Sequence, residues 1–135
     1  MREFHPVKIH IKEQKPEFER FGVQWTPTIL VMDPDRTERH RIEGFLPAAD
    51  FLAQLDLGVA KALFGAGKLA EAAQRYAQVA EAHSGTEAAP EAIYWAAVAA
   101  YKASGKPDSL GPAARRLRDS YPQSAWAKKA SVWLT

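Results

Sequence analysis

The side chains most able to do chemistry are few in this sequence of 135 residues. The chain contains no cysteine, so these residues can form no disulfide bond and supply no thiolate. Its histidines are His5, His10, His40 and His83, and no two of them have metal-ligand spacing on one element with a carboxylate partner. We interpret them as solvated or hydrogen-bonded surface residues. We therefore expect no metal site, no cofactor and no catalytic residue in this chain.

Two further patterns that can signal ligand binding have simpler structural interpretations. Asp33 and Asp35 flank Pro34, and a turn explains this pair of carboxylates better than acid-base chemistry does. Gly65 and Gly67 follow no predicted strand, so they do not form a glycine-rich phosphate loop.

The composition is that of a folded protein with little net charge. Hydrophobic residues make up 47% and charged residues 25% of the chain, and the formal net charge is +2. The basic residues are scattered, whereas phosphate recognition needs a dense basic surface, so we expect no nucleic-acid partner. The apolar runs are too short to span a bilayer, so we expect no membrane partner. The N-terminus lacks the pattern of a secretory signal, which favours a cytoplasmic location.

The first third of the chain predicts alternating strands and helices. Alternating apolar and polar residues predict a short strand at Val7–Ile11, and a proline in the first turn with a closing glycine predicts a helix at Lys15–Gly22. The apolar run Thr28–Met32 predicts a strand buried on both faces. The more polar segment Glu38–Glu43 would complete a β-hairpin with it.

The remainder of the chain predicts helices alone. From Asp50 onward alanine dominates, β-branched residues become rare and no strand pattern is present. Short breaks containing glycine or proline indicate antiparallel helical hairpins. The predicted helices are Ala48–Phe64, Leu69–His83, Pro90–Ser104, Ser109–Ser120 and Ala125–Leu134.

The segment Phe21–Asp35 resembles the second half of a thioredoxin-like fold. Its motif Thr26-Pro27-Thr28 is similar to the one that opens a central strand in that family, where the proline is in the cis form. The hairpin and the helix that follow agree in order with the family's closing elements, so the resemblance covers roughly residues 7–55. It implies a cis-proline loop formed by Trp25, Thr26, Pro27 and Thr28. A trans proline at the start of a strand is the alternative.

The sequence departs from the family in lacking the first strand and the helix that carries Cys-x-x-Cys. The missing strand belongs between Val7–Ile11 and Thr28–Met32, so both strands would expose backbone hydrogen-bonding groups. The chain is then either a truncation of a longer redox protein, which we favour, or a permanent half-fold. Unpaired buried backbone groups cost about 1–3 kcal/mol each, so we expect a homodimer that covers them. Direct pairing of the two strands within a monomer is the main alternative.

The helical part resembles tetratricopeptide repeats. With Ala53 and Glu91 as first positions of 34-residue repeats, small residues, large residues and the turn glycines Gly67 and Gly105 fall at matching offsets. A third start at Ala125 supplies one further helix, giving about two and a half repeats. A plain alanine-rich helical hairpin domain is the alternative.

The tetratricopeptide resemblance implies a concave groove lined by the first helix of each repeat. The groove positions would bring together aromatic residues and lysines, a surface suited to a peptide with apolar anchors and an acidic group. An equally weighted alternative is that the aromatic residues pack against the thioredoxin-like part or a second subunit. The implied partner-binding residues are Leu57, Lys61, Phe64, Trp95, Lys102, Trp126, Lys129 and Trp133.

Together these patterns predict an α+β chain, with a partial thioredoxin-like βαββα unit at residues 1–52 and an all-α tetratricopeptide-like hairpin array at residues 53–135. The expected function is a non-catalytic scaffold or co-chaperone-like module that binds a peptide or partner protein. The alternative is a fragment of a thiol-disulfide oxidoreductase whose Cys-x-x-Cys lies upstream.

Overall fold

The structure is a computed structural model that describes residues 4–7, 20–22, 28–44 and 46–134. Within these residues two strands are followed by five α-helices, so the predicted α+β order of a small sheet and then an all-helical region is confirmed. The strands are β1 (Thr28–Met32) and β2 (Glu38–Glu43). The helices are α1 (Ala48–Gly65), α2 (Leu69–Ala82), α3 (Ala88–Ser104), α4 (Leu110–Ser120) and α5 (Ala125–Ala130), with 3₁₀ helices at Pro107–Ser109 and Ser131–Leu134.

Strands β1 and β2 form the predicted antiparallel hairpin, with Ile29 opposite Ile42 and a register shift after Val31. The connecting turn uses both aspartates that the sequence placed there. The Arg36 backbone N–H donates to the Asp33 carbonyl over 2.8 Å, and Asp35 Oδ1 accepts from the Thr37 backbone N–H over 3.0 Å.

Helix α1 covers one face of this hairpin. Val31, Ile42 and Leu55 form a buried cluster, with Phe4, Ile29 and Phe51 packed against it. The prediction that β1 is buried on both faces is wrong, because only Val31 of this strand is buried and Met32 is 37% exposed. The helix covers only the side that carries Val31.

The opposite side of α1 packs into the helical core. Ala53, Leu57 and Ala60 are fully buried there, whereas Leu55 belongs to the hairpin cluster. The helix therefore contributes to both cores, and the predicted domain boundary between residues 52 and 53 falls inside it.

The helical region places each helix against the next along the chain. On α2, Ala72, Tyr76, Val79 and Ala80 are buried together, because their spacing places them on one side of the helix. The turn after α3 contains Gly105 at a φ of 74°, a conformation that glycine adopts without strain. No helix in the described ranges is long and apolar enough to cross a membrane.

Two predicted elements fall largely outside the described residues. Of the expected strand Val7–Ile11 only Val7 is described, and of the expected helix Lys15–Gly22 only residues 20–22 are. The expected exposed edge beside β1 therefore stays a prediction.

Candidate protein-interaction surface

Five aromatic side chains from four separate elements meet on one side of the helical region. Helix α1 supplies Phe64 near its end, α3 supplies Tyr94 and Trp95, α5 supplies Trp126, and the last 3₁₀ helix supplies Trp133. All five are half-buried. We call this group of five residues the aromatic face.

The rings of the aromatic face contact one another in a continuous row. The ring centroids of Phe64 and Trp95 are 5.7 Å apart, and those of Trp95 and Trp126 are 6.0 Å apart. Both pairs are inclined at 60° or more, which is a favourable geometry for aromatic contacts. The row joins α1, α3 and α5, so the first helices of the predicted repeats are in contact through it.

The Tyr94 ring contacts both Trp126 of this row and Trp133 near the end of the chain. Its ring stacks on Trp133 with a centroid distance of 4.8 Å and an interplanar angle of 21°, and it lies 5.1 Å from Trp126. Tyr94 is not among the partner-binding residues that the sequence implied. Its position beside Trp95 in an otherwise alanine-rich helix is the signal that could have identified it.

Two lysines lie at opposite ends of the aromatic row. The Lys102 ammonium is 5.4 Å from the Phe64 ring centroid, and the Lys129 ammonium is 4.1 Å from the Trp126 ring centroid. Both distances are within the range of cation–π attraction. Both lysines are exposed, and no carboxylate in the described part of the chain forms an ion pair with either of them.

The indole N–H of Trp95 is an unsatisfied donor in the middle of the row. Its Nε1 atom is buried and has no hydrogen-bond partner within the residues that the structure describes. A buried donor without an acceptor costs about 1–3 kcal/mol, so most such groups in folded proteins are satisfied. An acceptor from outside the chain would remove this cost.

Two of the predicted partner-binding residues lie elsewhere. Leu57 is fully buried in the helical core, so its side chain has no surface to offer a partner. Lys61 is already paired: its ammonium lies 2.8 Å from Glu91 Oε2 and 3.1 Å from His40 Nδ1. The candidate interaction surface therefore lacks two of the predicted partner-binding residues. It consists of Tyr94 and the other six: Phe64, Trp95, Trp126, Trp133, Lys102 and Lys129.

The His40 side chain belongs to a polar network between the hairpin and the helices. Its Nε2 is 2.7 Å from Gln54 Oε1, so Nε2–H donates to that amide while Nδ1 accepts from Lys61. Burial, and then the nearby Lys61 charge, lower the pKa of His40. The sequence suggested a surface histidine, but the pairing of β1 with β2 places His40 on the face that α1 covers.

A second polar cluster joins α1 to the end of α2. Asp56 Oδ2 lies 2.8 Å from His83 Nε2, and Asp56 Oδ1 lies 3.3 Å from Arg75 Nη2. No hydroxyl group in the described ranges is hydrogen-bonded to the His83 ring. No group of three or more His, Asp or Glu residues there is arranged to hold a metal ion.

The predicted cis-proline loop contributes little to the described structure. Trp25, Thr26 and Pro27 lie outside the described residues, and Thr28 is the first residue of β1, where it pairs with Glu43. The cis conformation of Pro27 stays a prediction.

Comparison with known proteins finds a similarity in the N-terminal part of the chain. Residues 3–58 match the family model of a thioredoxin-like domain, which confirms the thioredoxin-like resemblance and extends it to the middle of α1. No curated protein and no solved structure matches the chain significantly.

Proposed function

We propose that this chain is a non-catalytic protein-interaction module of the scaffold or co-chaperone type, in which tetratricopeptide-like helices present the aromatic face to a peptide or partner protein. The observation that carries the proposal is the continuous row of half-buried rings with a lysine at each end that pairs with no carboxylate among the described residues. Rows of this kind suit partners with apolar anchors and negative charge.

Two features support the tetratricopeptide-like interpretation of the helices. Gly67 and Gly105 occupy equivalent positions in the proposed repeats, and both have positive φ angles, of 80° and 74°. Ala72 and Tyr76 in the first repeat and Ala114 and Leu117 in the second occupy core positions of their second helices, and all four are buried.

Arrays of random peptides test the proposal, since they need no identified partner. The purified chain is applied to such an array, and its binding is compared with that of the double variant Lys102→Glu, Lys129→Glu. We expect the wild-type chain to bind a subset of peptides and the variant to lose that subset.

The matched control is the double variant Lys106→Glu, Lys128→Glu, which makes the same change in charge at exposed lysines that contact no ring of the aromatic face. The proposal is refuted if the array captures no peptide, or if both double variants lose binding equally. Circular dichroism of each variant checks that its helical content matches that of the wild type.

The second candidate function is a fragment of a thiol-disulfide oxidoreductase, and the thioredoxin-like match at residues 3–58 favours it. Its redox cysteines would have to come from residues other than these 135, because the chain has none. The DNA sequence upstream of the Met1 codon tests it: an in-frame Cys-x-x-Cys segment supports the enzyme, and an in-frame stop codon excludes it.

A further inference from the structure

The two lysines and the Trp95 indole indicate which kind of ligand would fit the aromatic face. Along the row, Lys102, Phe64, Trp95, Trp126 and Lys129 follow one another in steps of 5.4, 5.7, 6.0 and 4.1 Å. The two ammonium groups are therefore separated by at most about 21 Å, which is the length of about six residues of extended chain.

The charge pattern within the row points to a ligand with two separated anions. Each ammonium has a ring face on one side and solvent on the other, and neither is neutralised by a carboxylate in the described part of the chain. Between them lie the rings of Phe64, Trp95 and Trp126. A ligand that matches this order has a negative group, an apolar stretch and a second negative group.

The Trp95 indole N–H has no acceptor among the described residues, so a matching ligand carries a hydrogen-bond acceptor in the middle of its apolar stretch. Rings inclined at 66°, 87° and 60° surround the indole, and these contacts involve no hydrogen bond. The donor reaches a ligand only when these rings rotate, and their contacts with the indole contain no hydrogen bond that such a rotation would break. An extended peptide carries a backbone carbonyl at every residue, so it supplies an acceptor wherever the indole N–H becomes accessible.

We propose that the aromatic face binds an extended peptide with a carboxylate at each end of a short apolar stretch, whose backbone carbonyl accepts a hydrogen bond from the Trp95 indole between the two lysines. This proposal rests on the proposed function and specifies its ligand. Single-stranded nucleic acid is the competing ligand class, because bases also stack on aromatic residues near lysines. The rings favour the peptide, since they lie edge-on to one another and Tyr94 already stacks on Trp133.

Two synthetic peptides and one oligonucleotide test the proposal on the full chain. The first peptide is N-acetyl-Asp-Leu-Phe-Gly-Leu-Asp-amide, the second has asparagine in place of both aspartates, and the oligonucleotide is a short oligothymidylate. We expect the first peptide to bind roughly tenfold more tightly than the second, since each exposed ion pair contributes up to about fivefold. The difference should vanish in Lys102→Met, Lys129→Met.

The hydrogen bond that the Trp95 indole N–H donates is tested by a separate variant and by nuclear magnetic resonance. Trp95→Phe keeps a ring but removes the donor, so it should weaken binding of the first peptide by about two- to tenfold. Tyr101→Phe is the matched control, because it also removes a donor from an aromatic side chain of α3 and lies outside the aromatic face. In a ¹⁵N-labelled chain the Trp95 indole resonance should move downfield on saturation with the peptide.

Several results would overturn the proposal. It fails if the two peptides bind equally, if neither binds, if oligothymidylate binds more tightly than the first peptide, or if the Trp95 indole resonance stays in place. If the array still selects peptides that lack paired acids, only this inference fails. The proposed function fails with it when the array selects no peptide at all.

Discussion

Gly58 lies where helix α1 packs closely against Val31 of the hairpin, and Gly58→Ala tests that packing. A β-carbon at this position would lie 2.8 Å from Val31 Cγ2, 3.2 Å from Val31 Cβ and 3.4 Å from His40 Cβ. Non-bonded carbons prefer separations of about 3.5–4.0 Å, so the methyl group requires α1 or β1 to shift by close to 1 Å.

Two opposing effects set the expected size of the change. Overpacking a core by one methyl group costs about 1–3 kcal/mol, whereas replacing glycine with alanine within a helix gains up to about 1 kcal/mol. The packing effect is the larger, so we expect Gly58→Ala to lower the free energy of unfolding by about 1 kcal/mol. For a chain of this length that corresponds to a decrease in Tm of about 3–5 °C.

Gly111→Ala in helix α4 provides the matched control. The nearest atoms to a β-carbon there are Arg115 Nη1 at 3.4 Å, which can move away, and the Trp133 carbonyl oxygen at 4.0 Å. This variant should therefore be as stable as the wild type or slightly more stable. Urea unfolding monitored by circular dichroism measures both variants under the same conditions.

A double-mutant cycle assigns the cost of Gly58→Ala to the contact with Val31. Val31→Ala alone removes buried methyl groups and should be destabilising. In the Gly58→Ala background the same change also makes room for the new methyl group, so its cost should be smaller. If Gly58→Ala is as well tolerated as Gly111→Ala, or if Val31→Ala costs the same in both backgrounds, the predicted packing of α1 on the hairpin is refuted.

Three further predictions concern pH, a hydrogen bond and assembly. The pKa of His40 is lower in the folded chain than in the unfolded chain. As pH falls below about 6.5, His40 is therefore protonated in the unfolded chain before it is protonated in the folded chain. The free energy of unfolding should therefore decrease from pH 7 to pH 5, and urea titrations should show a weaker pH dependence for His40→Gln. The same pH dependence in the wild type and the variant would contradict this prediction. The Tyr121 hydroxyl donates to the Ser84 carbonyl over 2.6 Å, so Tyr121→Phe should cost about 0.5–1.5 kcal/mol in urea unfolding; no change would show that this hydrogen bond contributes nothing. We also propose a homodimer, for which light scattering should give twice the 14.9 kDa chain mass; a monomer mass at high concentration would exclude it.

Local patterns were sufficient to predict most of the secondary structure. Both strands of the hairpin have the predicted bounds, and α1, α2 and α3 begin and end within two residues of the predicted positions. These boundaries depend on residues such as Pro47 and Gly105, whose backbone preferences act locally. The predicted last helix, Ala125–Leu134, instead changes to a 3₁₀ helix after Ala130.

The details of the candidate site depend on contacts that local patterns do not record. The repeat alignment placed Leu57 and Lys61 in the groove, because it assumes that the first helix has one packed face. Helix α1 instead packs against both the hairpin and the helices. Leu57 is buried among the helices, whereas Lys61 contacts His40 of the hairpin as well as Glu91, so neither is available to a partner.

The measurement that tests the central claim most directly is a map of the peptide-binding site by nuclear magnetic resonance. The ¹⁵N-labelled chain is titrated with the peptide that binds most tightly on the array, and shifted resonances are assigned to residues. The largest shifts are expected at Phe64, Trp95, Lys102, Trp126 and Lys129. Shifts centred on the hairpin or on the exposed side of α2, with the aromatic face unchanged, would contradict the claim that this face is the interaction surface.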